Sequence, residues 1–97
     1  MEFVSSAQHD LVVCILAQID SAITEIFMWN KDIRDESDYI SSSDGNRNLT
    51  ATSMLLSAIG EGLKKVDKLT NGEFLPLRPE IPWKLVMGMR DHITHGY

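Results

Sequence analysis

Apolar positions recur along this chain at helical spacing in three places. From Ser6 to Trp29, Val12, Leu16, Ile19, Ile23 and Ile26 step by four, three, four and three, and Leu11, Ile15 and Ala22 widen the stripe. No proline or glycine interrupts this run, which predicts one long helix. From about Thr50 to Leu69, Leu56, Ile59, Leu63 and Val66 step by three, four and three. Gly60 and Gly62 fall inside this second helix, and each costs about 1 kcal/mol relative to alanine. Close approach of another helix is the expected compensation. A third stripe, Val86, Met89 and Ile93 with Trp83 beside it, follows Pro82, which suits the first turn of a helix.

Polar stretches separate these segments. Asn30–Asn48 is rich in serine, aspartate and asparagine and reads as a polar loop, its first half able to extend the first helix by a turn or two. Thr70-Asn71-Gly72 is a stop signal, with glycine suited to a left-handed cap. Three prolines between Pro76 and Pro82 impose an extended or turning path. Strand alternation and internal repeats are missing, so the expectation is an all-α single domain over 1–97, an antiparallel helical bundle.

Composition adds a few constraints. The chain has 97 residues and a net charge of −5, which argues against nucleic-acid binding by overall charge. Acidity is concentrated in Lys31–Asn48, with five acidic against three basic residues. Pro76–Tyr97 instead carries Arg78, Lys84 and Arg90 against Glu80 and Asp91. The lone Cys14 lies in an apolar run and is expected as a buried, inert thiol in a reducing, intracellular setting. No basic leader precedes the first helix, and the longest uninterrupted apolar run is too short to cross a bilayer. A chain this short has a thin core, which favours oligomerisation.

Candidate chemistry gathers at the end, in "MRDHITHGY" (Met89–Tyr97). On a continuous helix with Val86 at zero, Lys84, Gly88, Asp91 and His95 fall at about 140–200° and share one face. Asp91 and His95 stand at i, i+4, where the carboxylate meets the imidazole and favours its protonated form. Gly88 removes bulk from that face and would admit a ligand or a second chain. Arg90 lies about 140° round from His95, so convergence would require unwinding near Gly96, a wrapped side chain or a second protomer. Taken alone, this spacing favours a structural role, because histidine near a helix C-terminus suits the macrodipole. His92 and His95 make a poor metal pair without cysteine nearby. No phosphate-cradling glycine loop, serine-nucleophile motif or zinc spacing is present, and no cofactor is expected.

A longer string changes that balance. Ile59-Gly60-Glu61, then Pro79, Ile81, Pro82 and Trp83, then Gly88-Met89-Arg90, and finally His95 and Tyr97 resemble the HepT-like branch of the HEPN superfamily, toxins of bacterial and archaeal toxin–antitoxin pairs. Asp91 fits the polar residue that the wider HEPN signature places after the arginine. The resemblance covers about the second half of the chain. It implies a HEPN-type helical bundle, although family members usually continue for a further helix past the tyrosine on which this chain stops. It further implies a cytoplasmic, homodimeric, metal-independent endoribonuclease of a type VII-like pair. In that role Arg90 and His95, oriented by Asp91, act on RNA, with Lys84 and His92 as further substrate-binding residues. Tyr97 is then the residue to which a minimal nucleotidyltransferase antitoxin adds AMP. The other reading from the same resemblance is a non-catalytic helical module that presents substrate to that nucleotidyltransferase.

Overall fold

The computed structural model describes residues 5–89, and every described regular element is helical. The chain runs through α1 (Ser6–Trp29), a single turn α2 (Ser37–Ile40), α3 (Ser43–Leu69), a 3-10 turn (Leu75–Leu77) and a short α4 (Trp83–Met87). The fold is all-α, as the spacing of apolar residues predicts.

Helix α1 starts where the sequence places it, because Ser5 supplies a complete capping box. The Gln8 N–H donates to the Ser5 hydroxyl at 3.2 Å, and the Ser5 N–H donates to the Gln8 side chain at 2.9 Å. It lies antiparallel to α3, since Asn30 at its end meets Thr52 while Ile15 and Ile19 meet Gly62. Val12 and Ile15 are buried in this seam, and Ile19, Ala22 and Ile26 pack against it. Leu16 packs there too, so the predicted stripe lies in this seam except at Ile23. Ile23 and Leu11 stay exposed, and so does Cys14, which the sequence reading placed in the core. The reason is phase: α1 is apolar around most of its circumference, and Cys14 lies about 160° from Val12.

Helix α3 begins at Ser43, seven residues before the predicted start at Thr50. The polar Asn30–Asn48 stretch is therefore a loop only in part. Its second half is capped helix, with the Ser42 hydroxyl accepting from the Gly45 N–H at 2.9 Å. Gly45 is buried there because α2 presses against it; a Cβ would meet the Asp38 and Tyr39 carbonyl oxygens. A Ser-Asp-Gly-Asn run reads locally as a turn, and the contact with α2 overrides that preference. The end of α3 follows expectation. Asn71 and Gly72 take φ of 54° and 73°, and the Gly72 N–H reaches the Asp67 carbonyl at 2.8 Å.

Both mid-helix glycines of α3 are explained by close approach. At Gly62 a Cβ would sit 3.2 Å from Ile19 Cδ1 on α1, and at Gly60 it would sit 3.1 Å from the Val86 and Met87 carbonyl oxygens on α4. The core is small: Val12, Ile15, Ile59, Leu63, Val66 and Leu75. Much apolar surface remains outside it, including Phe27 at 74% exposure and Leu85 at 61%. Helix α1, at 24 residues and with an 18-residue window of mean hydropathy 1.8, is long and apolar enough to cross a membrane by length and composition, although no unbroken apolar run within it is. The same description fits a core helix of a helical bundle.

Candidate functional site

The sequence singled out the chain's last nine residues, and the structure describes the platform that precedes them. Pro82 opens α4, and the Leu85 and Val86 N–H groups bond to its carbonyl at 3.0 and 3.1 Å. Trp83 fixes the approach: its indole Nε1–H donates to the Arg78 carbonyl at 3.0 Å, and its ring packs against the core beside Val86 and Met87. The Pro-rich approach is in this way tied back onto the helix it introduces. Ile59 and Gly60 are buried on α3, directly where α4 crosses. Two parts of the singled-out string, 26 and 27 residues apart at Gly60 against Val86 and Met87, therefore touch.

Lys84 is exposed on α4, placed to offer a charge to solvent. Glu61 is half-buried and pairs with Lys64 at 3.3 Å, which leaves the glutamate partly neutralised on α3. Arg90, Asp91, His92, His95 and Tyr97 lie outside the described residues. Helix α4 is capped at Gly88, whose N–H returns to the Lys84 carbonyl at 3.1 Å. A Cβ at Gly88 would face that same carbonyl at 3.2 Å. The face on which the sequence reading puts Lys84, Gly88, Asp91 and His95 runs past Met89, the last described residue, which is itself helical.

Among the described residues no group of three or more histidine, cysteine or acidic side chains is arranged to hold a metal ion. Among the described residues a displaced pKa is found at Asp35, far along the chain from the motif. The Ser37 hydroxyl and then the Ser37 N–H donate to its carboxylate and hold it below the ordinary aspartate range.

Sequence reasoning missed a polar clasp at the other end of the hairpin. Asn30 donates from Nδ2 to the Ile26 carbonyl at 2.8 Å and to Thr52 Oγ1 at 2.9 Å, while its Oδ1 accepts from the Tyr39 hydroxyl at 2.6 Å. Asn48 adds a bond from Nδ2 to the Trp29 carbonyl at 3.2 Å. The cluster joins α1, α2 and α3 and satisfies both Asn30 amide hydrogens. Its members are amide and hydroxyl groups, suited to positioning and not to proton transfer near neutral pH. Its only local signal was an asparagine at a helix end; Tyr39 and Thr52 are 9 and 22 residues away.

Comparison of the chain with protein-family models, with curated proteins and with solved structures yields no match.

Proposed function

We propose that the chain is a HepT-like ribonuclease toxin of HEPN type, a cytoplasmic protein that cuts RNA without a metal and is silenced by a minimal nucleotidyltransferase partner. The string from Ile59 to Tyr97 carries this reading. Its support in the fold is that Gly60, the centre of Ile59-Gly60-Glu61, is the point on which the backbone of α4 rests, so the two halves of the string belong to one structural unit.

In this reading two protomers bring Arg90 and His95 to a shared cleft. One imidazole removes the proton of a ribose 2′-hydroxyl, whose oxygen then attacks the adjacent phosphorus. The 5′-oxygen leaves with a proton returned to it, and a 2′,3′-cyclic phosphate remains. Acid–base help of this kind supplies about 10²–10⁴-fold. Arg90 holds the phosphate and offsets charge developing on its oxygens, a bidentate task that suits guanidinium. Asp91 orients His95, and Lys84 and His92 add contacts to the RNA backbone. Dependence on the 2′-hydroxyl restricts the activity to RNA. AMP transferred from a nucleoside triphosphate to the Tyr97 oxygen, with pyrophosphate leaving, sets an anion beside His95 that repels and obstructs RNA. A HEPN-type bundle is the finer architecture the reading assigns.

The net charge of −5 favours a second reading, a non-catalytic module presenting substrate to the nucleotidyltransferase. One experiment separates them. The purified, unmodified protein is incubated with RNA in the presence of a chelator, beside His95→Ala and Arg90→Ala. Cleavage that survives the chelator and disappears in both variants supports the nuclease. Intact RNA throughout, with tight binding to the nucleotidyltransferase, supports the module.

A further inference from the structure

An asparagine or aspartate is followed by glycine at two places in the chain, Asp44-Gly45 and Asn71-Gly72. Such pairs have a chemistry of their own. The glycine nitrogen can bond to the side-chain carbonyl carbon one residue back, and without a Cβ nothing crowds its approach. The fold treats the two pairs oppositely. Gly45 is buried under α2, its N–H is held by the Ser42 hydroxyl at 2.9 Å, and the Asp44 carboxylate pairs with Arg47 at 3.3 Å. Asn71 and Gly72 are both exposed, at the tip of the turn that ends α3.

Three observations single out this tip. First, Asn71 sits at a φ of 54°, the left-handed region that few side chains other than asparagine visit, and Gly72 follows at 73°. Second, the tip projects between two buried anchors, Thr70 before it and Leu75 after it. The Asn71, Gly72 and Glu73 N–H groups donate to the Lys68, Asp67 and Thr70 carbonyls at 3.3, 2.8 and 3.0 Å. Exposed backbone bonds at a helix end open without unfolding the rest of the molecule. Third, the other asparagines, Asn30, Asn46 and Asn48, precede the bulkier Lys31, Arg47 and Leu49. Each of these three also donates from Nδ2 to a backbone carbonyl.

We propose that Asn71-Gly72 is a self-modification site, where the chain's own backbone converts the asparagine to aspartyl and isoaspartyl forms and so unties the turn that leads towards α4. When the cap opens, the Gly72 nitrogen gives its proton to hydroxide and bonds to the Asn71 side-chain carbonyl carbon. The carbon–nitrogen bond of the side-chain amide breaks, and its nitrogen takes a proton from water and leaves as ammonia. A five-membered succinimide remains. Water then opens the ring at either carbonyl. Attack at the side-chain carbon restores the ordinary peptide bond and leaves an aspartyl residue. Attack at the main-chain carbon breaks the original peptide bond and leaves an isoaspartyl residue, whose backbone runs through one extra carbon. The closed cap resists this chemistry, because the Gly72 N–H is committed to the Asp67 carbonyl. The aspartyl product puts a negative charge at the end of α3, where the macrodipole disfavours it. The isoaspartyl product lengthens the tip, so the Gly72 and Glu73 N–H groups cannot both keep their acceptors. The inference goes beyond the nuclease reading and does not rest on it.

The test uses the full chain, aged for weeks at physiological temperature and pH and then mapped by peptide mass spectrometry. Amide-to-acid conversion is expected at Asn71, with Asn30, Asn46 and Asn48 left intact. A protein-isoaspartate methyltransferase then labels the peptide that holds Asn71. In urea the same conversion runs about tenfold faster or more, the factor by which the closed cap protects the folded chain. Asn71→Gly suits the left-handed position and lacks the reacting amide. It retains the helical content, and the methyltransferase label at this turn is lost. Hydrogen exchange is measured on the isoaspartyl product after its separation from unmodified protein. Exchange quickens at Gly72, at Glu73 and in α4, and is unchanged along the α1–α3 seam. An Asn71 no more reactive than Asn46 and Asn48 overturns the proposal, as does an equal rate in the folded and the urea-unfolded chain. So does an isoaspartyl product whose α4 exchanges like that of the unmodified protein.

Discussion

Helix α3 meets its two neighbours through glycines only two residues apart, and the contacts are made of different material. At Gly62 the opposing atoms are the methyl ends of Ile19 and Ile15, which can rotate aside. At Gly60 they are the carbonyl oxygens of Val86 and Met87, backbone atoms that move only if α4 moves. The α1 side of the hairpin is therefore forgiving and the α4 side is not. Where a helix tolerates a costly glycine against a neighbour's main chain, the position of that neighbour is what the glycine secures.

The largest expected effect follows from that asymmetry. Gly60→Val drives a branched side chain into α4 and lowers stability by about 2–3 kcal/mol, measured by denaturant unfolding, with Trp83 fluorescence reporting displacement of α4. If the variant unfolds at the wild-type midpoint with unchanged fluorescence, the rigid contact is not rigid. Next comes Trp83→Phe, which removes the indole bond to the Arg78 carbonyl and is expected to cost about 1 kcal/mol while leaving the α1–α3 seam intact by hydrogen exchange. On the forgiving side the sign reverses. Gly62→Ala gains up to about 1 kcal/mol of helix propensity against modest crowding of Ile19, so its midpoint stays equal or rises; a clear loss would make the two sides alike.

The smallest effect serves as a reference far from both contacts. Hydrogen bonds from Ser37 hold Asp35 below its ordinary value, so the carboxylate's contribution to stability is present above the normal aspartate range. It disappears as pH falls through the lowered value. In Asp35→Asn this acid-side component is expected to vanish from the pH dependence of unfolding. The change is slight, since the group is fully exposed.

Much of this architecture was legible in the residues, for identifiable reasons. Helix α1 has its predicted bounds because Ser5 caps its start and neither proline nor glycine interrupts its apolar period. Gly60 and Gly62 were recognisable as close approaches because nothing else excuses them mid-helix. What failed was information held at a distance. Gly45 looks like a loop residue until α2 presses on it. Cys14 and Ile23 look like core until the seam settles on Val12, Ile15 and Ile19, a choice that a helix apolar on several faces leaves to its partner. The platform of the candidate site was readable from Pro79-Glu80-Ile81-Pro82-Trp83, and Lys84 is exposed as a binding role requires. The face that Lys84 shares with Asp91 and His95 in that reading lies outside the described residues.

The amide of Asn30 has one more consequence. Apolar seams repeat every turn, so two long helices can in general slip past each other by about 5.4 Å and still bury similar surface. Here such a slip would strip Thr52 and Tyr39 from the half-buried amide together and cost both hydrogen bonds. One side chain thereby acts as an indexing pin: it selects a single longitudinal alignment of the hairpin, and with it the height at which every later element of the chain is mounted.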